Sequence, residues 1–123
     1  MKTLKLWGTG SASGNGIASV VIPSASVIRG IQCAVRINSI TDGAQVDLEI
    51  SRASAREIQT NGAQQAIVQV AMEGNFVTSG LAQSGVNQFF PCSVSVTQGQ
   101  IIYLHALVGG TVVYDATFII NYE

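Results

Sequence analysis

Charge is what this 123-residue chain has least of. Asp, Glu, Lys and Arg make up 11% of it, against roughly 25% in an ordinary soluble domain. A net charge of −1 excludes bulk attraction to nucleic acid, which rests on neutralising several phosphates. No basic residue follows Arg56, and beyond Glu57 the only charges are Glu73, Asp115 and Glu123. Chance among few charges is the plain reading of that asymmetry; a bipolar subunit meeting two partners is the sharper one. Histidine occurs once, as His105. A metal centre needs several convergent ligands, so neither a metal nor another cofactor is expected. Cysteine occurs twice, and two residues make no disulfide scaffold. One Cys33–Cys92 bridge stays open, but Cys33 lies on the apolar phase of its strand and reads as a buried free thiol. No apolar run approaches the ~20 residues of a membrane-spanning helix. Met1-Lys2 leads straight into a strand-like pattern without the apolar core of a signal peptide. No Asn-x-Ser/Thr site occurs either. Neither a membrane partner nor an N-linked glycan is therefore expected.

Neutral polar residues fill the gap: 12 Ser, 10 Gln, 8 Thr and 6 Asn, beside 13 Gly. Such text suits secreted β proteins and virion proteins better than cytoplasmic enzymes. Low charge also gives little protection against association, so a standing homo-oligomer is expected. The length suits one domain, residues 1–123, large enough for a real core.

The pattern along the chain is that of strands. Residues 93–122 hold three runs, separated at Gln98-Gly99 and Gly109-Gly110. Val94 and Val96 alternate with serines. Ile102, Leu104, Ala106 and Val108 form an aliphatic face, opposite a mixed face of Ile101, Tyr103, His105 and Leu107. Val112, Tyr114, Ala116, Phe118 and Ile120 form the next. Period-2 alternation marks a sheet with one buried face. If the last two runs pair as a hairpin, the hydrophobic pattern selects the odd loop Gly109-Gly110-Thr111. His105 then meets Asp115 as a structural pair. Strands that cross to opposite sheets would void that register.

Upstream, Leu4 and Leu6 point inward while Lys5 and Trp7 point out. Gly8 to Gly16 reads as a flexible loop; its glycines precede a β-branched run ended by Pro23 rather than a helix, so they make no phosphate cradle. A long strand over 25–38 puts Ile31, Cys33, Val35 and Ile37 inside, with a bulge at Gly30. After a turn at Thr41-Asp42-Gly43, Val46, Leu48 and Ile50 form a core row with Asp47, Glu49 and Ser51 outside, where Arg36 would face Asp47 or Glu49. Ser51–Gln59 is one helical turn or an irregular loop. Asn61-Gly62 is a turn and Ala66–Met72 a strand. Phe76–Gln88 reads as a long loop with a short strand at either end, and Phe89-Phe90-Pro91 as an apolar knot at an edge or strand start. About eight strands with regular turn signals make an all-β chain, an antiparallel β-sandwich of jelly-roll type.

Reactive motifs are missing. His105 with Asp115 would supply two parts of a triad, but no elbow motif surrounds any Ser or Thr. Asp47 and Glu49 have the spacing of a glycosidase pair, yet on an open face with arginines nearby they read as surface charges. The chain is expected not to be an enzyme, and His105→Ala to cost only modest stability. Trp7, Phe89 and Phe90 are the candidate contact residues, because exposed aromatics mark association.

The closing stretch VSVTQGQIIYLHALVGGTVVYDATFIINYE resembles the last strands of small jelly-roll proteins of bacteriophage virions. It is also similar to trimeric heads of the tumour-necrosis-factor and complement types. The likeness covers about thirty residues and carries no functional motif. It implies a capsid decoration, head-fibre or spike subunit located in the virion, contacting its own copies as a homotrimer and other capsid proteins. A lectin-like module with a shallow glycan site in its loops is the alternative.

Overall fold

The computed structural model of the chain describes residues 1–40, 43–57, 65–73 and 85–123. Among these residues are eight strands: β1 (Lys2–Gly10), β2 (Gly14–Val21), β3 (Ser26–Ile40), β4 (Gln45–Ser51), β5 (Ala66–Glu73), β6 (Gly85–Val96), β7 (Ile101–Gly109) and β8 (Val112–Tyr122). They form two antiparallel sheets, in the orders β1-β8-β3-β6 and β2-β7-β4-β5. The pairing is nested: first with last, second with seventh, third with sixth, fourth with fifth. That is the jelly roll, and no helix occurs among the described residues. The expected turns at Thr41-Asp42 and Asn61-Gly62, and the loop over Phe76–Ser84, lie outside the described residues.

The core lies between the sheets. The first sheet contributes Leu6, Ile31, Cys33, Val35, Ile37, Phe118 and Ile120; the second contributes Val46, Leu48, Ile50, Ile102, Leu104 and Ala106, all buried. These are the inward rows that alternation selects, each large side chain contributing about 1.5–3 kcal/mol by leaving water. Cys33 and Cys92 are both free, and burial pushes the Cys33 thiol up to about 11. The thiolate is the nucleophile, so Cys33 is inert.

Several expectations change. The Gly8–Gly16 loop is only Ser11–Ser13, because Gly8, Thr9 and Gly10 go on pairing with Ala116, Asp115 and Tyr114. Residues 52–57 take the irregular-loop alternative of the two open for Ser51–Gln59, with no helical turn among them. Phe89, Phe90 and Pro91 lie inside one strand that starts at Gly85. Pro91 is tolerated because β6 is an edge strand. It stands opposite Gly30, where both pairings of β3 slip register between Ile28 and Gly30. The Phe89 ring covers Gly30 so closely that a Cβ there would lie 2.0 Å from it, so the bulge position accepts no side chain without moving the ring.

The largest correction concerns the last two strands. β7 and β8 belong to different sheets, so His105 and Asp115 do not pair. His105 stands opposite Glu49, and Asp115 opposite Thr9 and Arg36. β3 and β4 are likewise split, which takes Arg36 away from Asp47 and Glu49.

Candidate functional site

The outer face of the first sheet is built in cross-strand rows. Register aligns Lys5–Ile119–Gln32–Phe89, then Trp7–Thr117–Ala34–Asn87, then Thr9–Asp115–Arg36–Gly85. Ala34 and Thr117 are small and sit mid-face, with longer side chains around them. A shallow depression of about 430 Å³ results, lined by Ala34, Arg36, Val86, Asn87, Asp115 and Thr117.

Its polar groups are held. Asn38 Nδ2 donates to Asp115 Oδ2 at 2.7 Å, and Arg36 Nη2 donates to the same oxygen at 3.3 Å. The Asn38 hydrogen bond, followed by those from Thr9 and Arg36, holds the Asp115 carboxyl below the usual aspartate range. A depressed carboxylate adds stability above its unfolded pKa and loses it as pH falls through the folded one. Any contribution from Asp115 therefore fades on the acid side of the ordinary aspartate value. Gln32 Nε2 donates to Asn87 Oδ1 at 2.8 Å, which leaves the Asn87 NH₂ as a donor. Trp7, 56% exposed, stands directly across from Thr117 on the neighbouring edge strand.

Of the three aromatics expected at contacts, Trp7 and Phe89 are exposed, on this one face, on its two edge strands. Phe90 is not. It alternates with Phe89 and packs against the core, partly buried, because neighbours on a strand point to opposite faces.

A second polar group lies on the outer face of the other sheet, under residues 52–57. Asp47, Glu49, Ser51 and His105 are all buried there, contrary to the open face expected. Glu49 accepts from Gln69 Nε2 at 2.7 Å and from the Glu57 amide at 3.0 Å. Ser51 Oγ accepts from the Ala53 amide at 3.0 Å, and Asn15 Oδ1 from the Arg56 amide at 3.0 Å. His105 Nε2 donates to the Ala53 carbonyl at 2.7 Å, and its Nδ1 accepts from the Gly16 amide at 2.8 Å. Gly16 sits at φ 63°, in the left-handed region, within the irregular β2–β7 stretch between Gly14 and Ala18. Tyr103 stacks on the imidazole, with centroids 5.7 Å apart.

The chemistry of that cluster is structural. Ser, His and Glu are close together, but both imidazole nitrogens bind backbone groups, and a general base needs a nitrogen facing its proton donor. No group of three or more metal-ligating side chains occurs among the described residues. Full burial also changes the expectation for His105→Ala. The change orphans the Gly16 amide and the Ala53 carbonyl and opens a cavity. It should cost about 2–4 kcal/mol rather than a modest amount. Urea unfolding would show this, and a midpoint within error of the parent would contradict the arrangement.

Sequence reasoning singled out Arg36, Asp115 and Trp7 separately and missed that they share a face. No protein-family model matches the chain, and no curated protein sequence matches it.

Proposed function

We propose that this chain is a non-enzymatic structural subunit of a virion, a capsid decoration or fibre/spike protein that assembles as a homotrimer and touches other capsid proteins. Jelly rolls serve as capsid and lectin domains, and fold alone does not assign function. The reading is carried by β6, a 12-residue edge strand without one charged residue, on which Phe89 is 47% exposed. The opposite edge, β1, carries Lys2 and Lys5. Lysines guard sheet edges against pairing, and a long uncharged edge invites a neighbour. Pro91 interrupts the free edge, so Phe89 packing rather than an unbroken ladder anchors the contact. The low overall charge acts in the same direction.

Light scattering coupled to size exclusion, over a dilution series, tests the assembly. The expected mass is three times the 12.8 kDa of one chain, persisting on dilution. Phe89→Glu should reduce it to one chain with the β circular-dichroism signal intact. A parent protein that is monomeric throughout removes the reading.

A further inference from the structure

We propose that the depression on the outer face of the β1-β8-β3-β6 sheet is a binding site for a neutral saccharide, with Trp7 as its stacking platform and Arg36, Asn87 and Asp115 as its hydrogen-bonding groups. The site is on a sheet face, not in the loops where a glycan site was expected from sequence, and it stands independently of the virion reading.

The argument begins with size. About 430 Å³ lies in the range of small-ligand clefts, roughly 300–1,000 Å³, and the open shape leaves room for further sugar units along the face. The chemistry of the lining comes next. A pyranose offers hydroxyls that both donate and accept around its edge, and a C–H face that is apolar. Asp115 supplies a pure acceptor with about four lone-pair sites. Its orientation is fixed in advance by Asn38 and Arg36, which removes an ordering cost on binding. Arg36 is 73% exposed at its side chain and uses Nη2 on Asp115. The guanidinium carries five donors in all, so others remain for ligand oxygens. Asn87, oriented by Gln32, adds its NH₂. Neighbouring donors and acceptors of this kind match vicinal hydroxyls.

Trp7 supplies the remaining element. Cross-strand neighbours on one face have Cβ atoms about 4.5–5.5 Å apart, and Trp7 is the neighbour of Thr117, which lines the cleft. An indole presents a broad apolar face and a polar N–H. The other small-ligand classes fit less well. A phosphate or other anion would meet a cleft whose one cation is already paired to a carboxylate. A lipid would cover the remaining donors of Arg36 and Asn87 without pairing them.

Trp7 is the chain's sole tryptophan, so its emission reports on the site directly. The probes are glucose, galactose, mannose and N-acetylglucosamine with their oligomers, and N-acetylneuraminic acid as the anionic control. At least one neutral sugar should shift the emission, with a Kd on the order of 1 mM for a monosaccharide, as suits a shallow cleft, and tighter for its oligomer. Asp115→Ala should weaken that binding at least tenfold. Ala34→Gln, which fills the exposed floor without removing a partner, should abolish it. Light scattering on both variants runs alongside. No response to any neutral sugar overturns the proposal, as does binding that survives both substitutions or a preference for the anionic control. If Ala34→Gln instead dissociates the oligomer, the face is a subunit interface and the saccharide site is wrong, while the assembly reading stands.

Discussion

Phe118→Ala is expected to cost the fold about 3–5 kcal/mol. Phe118 is fully buried, on a strand with neighbours on both sides, opposite Leu6 and Cys33. Its ring projects into the space between the sheets, where Leu48, Ile50, Ile102 and Leu104 are also fully buried. Removing it leaves a cavity that two rigid sheets do not close, so the lost transfer energy and the lost packing add. Domains of this kind have only about 5–15 kcal/mol of net stability, so the variant gives up at least about a fifth of it. Val113→Ala is the control, on the same strand but 37% exposed, and should stay within about 0.5 kcal/mol. Urea denaturation of the three proteins decides it. A Phe118→Ala midpoint close to the Val113→Ala midpoint would mean that the sheets do not pack through this ring.

Glu49→Ala is the second large effect, about 3 kcal/mol, and its origin is polar. Glu49 is fully buried and accepts from the Gln69 side chain and the Glu57 amide. Alanine orphans both donors, and an unsatisfied buried donor costs about 1–3 kcal/mol. Part of the loss is local. Residues 52–57 are attached through side chains of the sheet beneath and through Arg52 N to Gln65 O and Gln65 N to Glu57 Oε1. Losing the Glu49 anchor should speed hydrogen exchange at the Glu57 amide well before global unfolding. Glu49→Gln retains an acceptor oxygen and should recover most of the protection. Equal exchange rates in parent and both variants would show that this segment is not held by Glu49.

The inward rows were legible from sequence because alternation has a single physical cause. Ile31, Cys33, Val35 and Ile37 avoid water together, as do Val112, Tyr114, Ala116, Phe118 and Ile120, and the structure buries all but Val35, Tyr114 and Ala116 completely, those three nearly so. Alternation identifies the buried face of a strand but not the sheet it joins. Gly110-Thr111 is equally compatible with a hairpin or a crossing between sheets, and it crosses. Hence the His105–Asp115 pairing failed although the facing of each strand was right. The polar cluster was illegible for a different reason. Residues 52–57 cover Glu49 and His105 through hydrogen bonds, without an apolar stripe, so no periodic signal marks them as a cover. The cleft depends on β3–β8 pairing, which joins Arg36 to a carboxylate 79 positions away.

The nested pairing also sets an order in time. Among the described residues, β4 and β5 are the only consecutive strands that are partners, so theirs is the ladder a growing chain can close early. β3 must wait for β6 and then β8 on its two sides. Lys2 meets Tyr122 only after all the strands between them have emerged. Topologies dominated by distant pairings fold slowly, and half-made sheets expose sticky edges meanwhile. During synthesis this chain therefore holds a large apolar surface open until β8 arrives to pair with β1 and β3, and its yield in a cell should depend more on that interval than on the stability of the finished sandwich.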